Sequence, residues 1–192
     1  MQTIAFADLI RDSSLRAHAK DDFLTRFRDP ALLVESDADL PPGDLDGKTP
    51  FEMPSWWHPT PLHGRSIQKD RPPYPYLEHA RVIWLAKTKR NPFANLITLG
   101  RAPNNDIRFP LESLSKLHAT FNRSGGRWFV QDHVSRNGTF VNAERLDGSA
   151  VRLLCDGDAI RFAPELRTRF FTPAALYDFL GIVTRVSPVA AT

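Results

Sequence analysis

The sequence predicts a mainly β protein, an antiparallel sandwich of many short strands. Three observations carry that expectation. Between Ala80 and Phe171, short apolar runs rich in Val, Ile, Phe and Trp recur with turn signals between them. Their spacing of about 8 to 12 residues is that of short strands folded back on one another. Helical 3.6-residue periodicity is confined to the two ends of the chain.

The elements follow in order. Residues 4–18 pattern as an amphipathic helix, with Phe6, Leu9 and Ile10 on one stripe and Asp8, Arg11 and Asp12 opposite. Asp21 and Asp22 open a second helix carrying Phe23, Leu24 and Phe27, and Asp29-Pro30 ends it. Ala31–Val34 reads as a strand. Nine of the sixteen prolines fall between Pro41 and Tyr76, which forbids regular helix or interior strand there. Trp56, Trp57, Tyr74 and Tyr76 in the same stretch predict an extended arm packed on the body rather than a linker. The region before Ala80 is expected to be a docking appendage without chemistry of its own.

Strands are expected at Val82–Leu85, Asn95–Leu99, Ile107–Phe109, His118–Phe121, Trp128–Val130, Thr139–Asn142, Val151–Leu154, Ala159–Phe162 and Thr168–Phe171. Gly100, Asn104–Asp106, Ser124–Gly126 and Asn137-Gly138 supply the turns between them. A last helix opens at Thr172-Pro173, with Leu176, Phe179 and Leu180 as its apolar stripe. The expected division is an extension over 1–79, a domain over 80–172, and a C-terminal helix and tail over 173–192.

Bulk properties narrow the function classes. Twenty-five Lys and Arg against 22 Asp and Glu give a mild charge of +3, with no polybasic run. Nucleic acid is therefore not an expected partner. Cys155 is the one cysteine, which excludes an intrachain disulfide framework and a cysteine zinc site. It fits a reducing, cytoplasmic setting. His58, His63 and His79 lack a ligand spacing, so no metal and no cofactor are expected. Neither a leader-like segment nor an apolar run of about 18 residues is visible, so no membrane partner is expected.

The informative chemistry lies between Leu96 and Asn142. Gly100 permits a sharp turn at a strand end, and Arg101 follows it with a planar fork of donors suited to phosphate. Ser115 and Lys116 add a hydroxyl and a second positive charge ahead of a strand. Asn137, in a tight turn, offers both donor and acceptor to an extended peptide. Together these residues suggest a reader of phosphorylated peptides.

The chain here resembles the forkhead-associated (FHA) domain family. The resemblance rests on Gly100-Arg101, Ser115-Lys116-Leu117-His118, Ser135-Arg136-Asn137-Gly138-Thr139-Phe140-Val141-Asn142 and Leu154-Cys155-Asp156-Gly157-Asp158-Ala159-Ile160-Arg161-Phe162, in that order. It covers about residues 80 to 172. It implies an eleven-stranded sandwich whose loops at one end bind phosphothreonine peptides, without catalysis. By position, Arg101 contacts the phosphate, Ser115 donates its hydroxyl, Lys116 makes a further phosphate contact and Asn137 holds the peptide backbone. Gly100, His118 and Gly138 are structural positions, with His118 bracing the loops. Arg136 stands where some members carry a threonine that contacts the phosphothreonine. It is expected to add a phosphate contact, to meet an acidic peptide residue or to face solvent.

The implied partner is a phosphothreonine-containing protein, with a Ser/Thr kinase or its substrate as the source. Thr49-Pro50 and Thr60-Pro61 add the expectation of an intramolecular contact between a phosphorylated N-terminal arm and the site. Three rival readings are weighed. A Ser115, His118 and Asp132 triad lacks a nucleophile elbow. Asp156-Gly157-Asp158 lacks the remaining oxygens of a calcium loop and reads as a turn. A fold-only FHA scaffold, binding partners through other surfaces without phosphate, is the alternative function.

Overall fold

A computed structural model describes residues 3–5, 8–9, 20–34, 80–148 and 150–186. Among these, twelve strands form two sheets. The strands are β1 (Thr3–Ala5), β2 (Ala31–Val34), β3 (Arg81–Trp84), β4 (Ile97–Gly100), β5 (Ile107–Arg108), β6 (Ala119–Ser124), β7 (Arg127–Asp132), β8 (Thr139–Val141), β9 (Glu144–Arg145), β10 (Val151–Leu154), β11 (Ala159–Phe162) and β12 (Leu166–Phe171). The larger sheet runs β1-β3-β2-β12-β11-β8-β9 and the smaller runs β10-β7-β6-β4-β5. All pairings are antiparallel except β4 with β5, where Leu99 lies beside Ile107. Two helices, α1 (Lys20–Arg26) and α2 (Pro173–Val186), complete the described elements.

Two apolar clusters divide the core. Between the sheets lie Leu32, Ile83, Leu99, Phe121, Val130, Val141, Ile160, Phe162 and Phe170. On the outer face of the larger sheet, Leu33, Val82, Trp84 and Phe171 meet Phe23 and Phe27 of the α1 region and Leu176 and Phe179 of α2. Strand alternation explains the division: Leu32 faces the inter-sheet core and Leu33 faces the helices. A strand covered on both faces needs a continuous apolar run, which Ala31–Val34 supplies. The ring of Phe27 stacks on Trp84 with centroids 4.5 Å apart. Lys20 pairs with Asp178 at 2.7 Å and ties α1 to α2.

Several expectations meet a different outcome. Thr3–Ala5 is an edge strand paired with β3, not the start of a helix over 4–18. Only Asp8 and Leu9 of that span are described as helical. Three-residue edge strands are too short to imprint a two-residue period, so the neighbouring helical pattern dominates the reading. The proline- and aromatic-rich stretch, with Thr49 and Thr60, lies outside the described residues.

Asn137-Gly138 does not close a hairpin. It sits in the crossover from β7 in one sheet to β8 in the other. The hairpin turn here is Asn142-Ala143, between β8 and β9, where φ is 51° and 68°. Two consecutive left-handed residues are the geometry that matches the right-handed twist of paired strands. Asn142 is further held by its amide, which donates to Asp158 at 2.8 Å and accepts the Ala159 N–H at 3.0 Å.

The Asp156-Gly157-Asp158 turn consumes its carboxylates in protein hydrogen bonds. Asp158 accepts the Cys155 N–H at 2.8 Å. Asp156 accepts the N–H and hydroxyl of Thr172, at 2.5 and 2.9 Å, just ahead of α2. Among the described residues no cluster of His, Cys, Asp or Glu is arranged to hold a metal. No described helix is long and apolar enough to cross a membrane.

Candidate functional site

Three loops meet at one end of the sandwich: β4–β5, β5–β6 and β7–β8. The first two are joined backbone to backbone. Arg101 donates its N–H to the Ser115 carbonyl at 3.0 Å, and Ala102 donates to the Lys116 carbonyl at 3.2 Å. That approach requires a glycine at position 100. A Cβ there would fall on the Lys116 carbonyl oxygen and within 2.9 Å of the Ser115 carbonyl. Asn105, 3% exposed, bridges the same loops by donating to Ala102 O at 2.9 Å and Lys116 O at 2.6 Å.

Ser115 joins the third loop. Its Oγ accepts the Arg136 N–H at 3.0 Å. Accepting a backbone proton fixes the oxygen and leaves the hydroxyl hydrogen to donate elsewhere. Asn137 donates Nδ2 to the Ser113 carbonyl at 2.8 Å, which orients its amide and leaves the carbonyl oxygen available. Arg101, Lys116 and Arg136 are exposed, and Ser115 and Asn137 are half-buried. Backbone contacts thus bring the loops of all five predicted binding residues together.

Beneath the rim lies a buried support. His118 is fully buried, and its Nδ1 accepts the Ser115 N–H at 3.2 Å. The proton therefore resides on Nε2, 3.4 Å from the Gly138 carbonyl. Burial pushes the His118 pKa down, against the Gly138 bond and the Asp132 charge, so the ring is held neutral. Asp132 accepts the Ser135 N–H at 2.9 Å, the Ser135 hydroxyl at 2.5 Å and the Thr139 hydroxyl at 2.7 Å. Burial alone would raise its pKa; these bonds and His118 outweigh that and lower it. Ser115 touches His118 through its N–H and turns its hydroxyl to Arg136, so these three residues do not form a nucleophile–base–acid relay.

A second buried carboxylate, Asp106, anchors the β4–β5 loop from within. Asp106 accepts Lys87 Nζ at 2.8 Å, Thr88 N at 2.8 Å, Asn91 Nδ2 at 3.0 Å and Thr98 N at 2.9 Å. Burial would raise its pKa, but this set of donors holds it well below the ordinary carboxylate range.

Sequence reasoning missed the anchoring roles of Asn105, Asp106 and Asp132, and missed Arg145. A Cβ on Gly138, whose φ is 78°, would lie 2.7 Å from Arg145 Nε, so this arginine packs over the Asn137-Gly138 segment. Asp132 had a local signal: an Asp three residues before a Ser commonly caps that serine's N–H. The bond from Asn105 to Lys116, eleven positions on, and the packing of Arg145 over Gly138 had none, because both form only once the chain has folded.

The FHA domain model matches residues 97–163. The ABC transporter ATP-binding/permease protein Rv1747 of Mycobacterium tuberculosis is 42% identical over 64 residues, 33% of this chain and 7% of that protein. The glycogen accumulation regulator GarA of Mycolicibacterium smegmatis is 37% identical over 73 residues, 38% of this chain and 44% of that protein. A solved FHA domain of an Arabidopsis thaliana hypothetical protein shares 29% identity, covering 40% of this chain and 66% of its own, with a TM-score of 0.39. The chain spans less than half the length of both curated relatives. The match to the FHA domain family is carried by the segment from Ile97 to Ala163, with its Gly100-Arg101, Ser115–His118 and Ser135–Asn142 loops on one rim.

Proposed function

We propose that the chain is a phosphothreonine-dependent protein-interaction module in Ser/Thr kinase signalling, with no catalysis of its own. In this reading Arg101, Ser115 and Lys116 hold the phosphate and Asn137 holds the peptide backbone. Arg136 contributes positive charge on the side of the β7–β8 loop. The partner is a phosphorylated protein in the cytoplasm, either a kinase or its substrate.

The observation that carries the reading is the stitching of the three loops through Ser115. Its carbonyl takes the Arg101 N–H and its Oγ takes the Arg136 N–H, both at 3.0 Å. The backbones at Arg101 and Arg136 are thereby held to Ser115, whose hydroxyl still has its proton to give. A phosphothreonine carries about −1.5 to −2 charges near neutral pH. Charge-assisted hydrogen bonds contribute about 1.5–3 kcal/mol each. Two or three of them, less the ordering of a flexible peptide, correspond to roughly micromolar affinity.

An oriented phosphothreonine peptide library screened against wild type and Arg101→Ala tests this. The wild type should select phosphorylated over unphosphorylated peptides, and Arg101→Ala should lose that selection. Equal binding by both proteins would exclude the assignment. Partner binding that ignores phosphorylation would favour a fold-only scaffold.

A further inference from the structure

The outer face of the larger sheet carries a cationic row that the proposed phosphate site does not use. Arg145 of β9 pairs in register with Phe140 of β8, Phe140 with Arg161 of β11, and Arg161 with Arg167 of β12. Val141, Ile160, Phe162 and Leu166 belong to the inter-sheet core, so alternation turns these four to the outside. The guanidinium of Arg161 lies 3.8 Å above the centre of the Phe140 ring. Leu33, Val82 and Phe171, under the helices, occupy the other end of the same face.

Arg161 lies directly opposite Arg167, and like charges so placed repel. Burial first, and then the Arg167 charge, lower the Arg161 pKa from its ordinary value. Among the described residues, no carboxylate pairs with Arg145 or Arg161. The row is also continuous with the loop rim, because Arg145 packs over Gly138, next to Asn137.

We propose that this row is a track for an acidic stretch flanking the phosphothreonine, on the side of the peptide that leaves past Asn137. The inference rests on the phosphopeptide reading and adds a sequence requirement to it. Neighbouring strands are about 4.8 Å apart, which puts Arg145 and Arg161 about 10 Å apart along the row. An extended peptide advances about 3.3 Å per residue, so a tract of about four acidic residues spans both. The chain's own Glu35, Asp37 and Asp39, which follow β2 in sequence, are the competing occupant.

The test uses the full chain and labelled phosphothreonine peptides of one core sequence. Each carries a four-residue Glu or Gln tract on one side or the other, and affinity is read by fluorescence anisotropy. The Glu tract on one side should bind wild type about three- to tenfold more tightly than its Gln counterpart. Arg145→Gln/Arg161→Gln should erase that difference, and Arg145→Lys/Arg161→Lys should keep most of it. Equal affinity for Glu and Gln peptides overturns the track and leaves the phosphopeptide reading standing. Failure of every phosphopeptide to bind overturns that reading itself, and the track with it. A Glu preference that emerges only in Glu35→Gln/Asp37→Asn/Asp39→Asn also overturns the proposal, by assigning the row to the chain's own acidic run.

Discussion

His118 accepts the Ser115 N–H on Nδ1 at 3.2 Å, while its Nε2 lies 3.4 Å from the Gly138 carbonyl. One buried ring therefore spans the loop that carries Ser115 and Lys116 and the loop that carries Arg136 and Asn137. His118→Ala leaves a backbone donor without its partner and opens a cavity beside Phe162, whose ring centre is 6.0 Å away. The combined loss is about 2–5 kcal/mol. Urea denaturation should show the midpoint falling, and phosphopeptide affinity should fall with it as the two loops separate.

The same ring makes stability depend on pH. The folded-state pKa of His118 is lowered from the usual 6.5 by burial. Between the lowered value and 6.5 the unfolded chain binds a proton that the folded chain does not, so stability rises with pH in that window. Acidification from pH 7 should therefore destabilise the fold first through His118. Asp132, whose folded pKa is also lowered, should add a second loss as its carboxylate is protonated at lower pH. Thermal melts from pH 7.5 to 2 on wild type and His118→Gln check this: the variant should be less stable at pH 7 and flatter just below pH 6.5.

Asp106 should behave as a structural anchor rather than a ligand group. Its side chain is fully buried and holds Lys87, Thr88, Asn91 and Thr98 at once. Asp106→Asn keeps the shape, but sets an NH₂ group against donors and removes the charge that partners Lys87. The expected cost is about 2–4 kcal/mol. Lys87→Met, which leaves Thr88, Asn91 and Thr98 on the carboxylate, should cost less, and a urea series on both variants gives the order.

What the sequence makes legible, and what it does not, follows from the range of the contacts involved. The strands from Arg81 to Phe171 announce themselves because each is bounded by its own turn residues. The rim loops stand out through the order and spacing of Gly100-Arg101, Ser115–His118 and Ser135–Asn142 within a β pattern, since each segment alone is an ordinary turn. The buried support is not legible in the same way. Asp106 reads as part of an Asn-Asn-Asp turn, yet its partners begin nineteen positions earlier at Lys87. Arg145 reads as an ordinary surface charge, and only the folding of β9 against β8 lays it over Gly138. Asn137-Gly138 carries a hairpin signal but spans two sheets, because a dipeptide does not specify which strands its flanks will join.

Gly100 sets how closely the Arg101 loop lies against the Ser115–Lys116 loop. A Cβ there meets two carbonyl oxygens, which are backbone atoms that cannot rotate aside. Gly100→Ala should push the loops apart and weaken the Arg101–Ser115 and Ala102–Lys116 bonds, at a cost of about 1–3 kcal/mol. Amide hydrogen exchange would read this directly, with Arg101 and Ala102 losing protection while the β6–β7 hairpin keeps its own.

Gly138 combines two constraints that substitution can separate. Its φ of 78° is left-handed, which costs a residue with a side chain about 1 kcal/mol, and a Cβ would also collide with Arg145 Nε. The first cost belongs to the backbone and the second to the far end of a flexible side chain. Gly138→Ala should therefore destabilise by about 1–2 kcal/mol, and adding Arg145→Ala should recover the collision part only. A double-mutant cycle by denaturant melts measures this. A coupling energy of zero would show that Arg145 swings clear of Gly138 at no cost. Full recovery would show that the left-handed backbone contributes nothing.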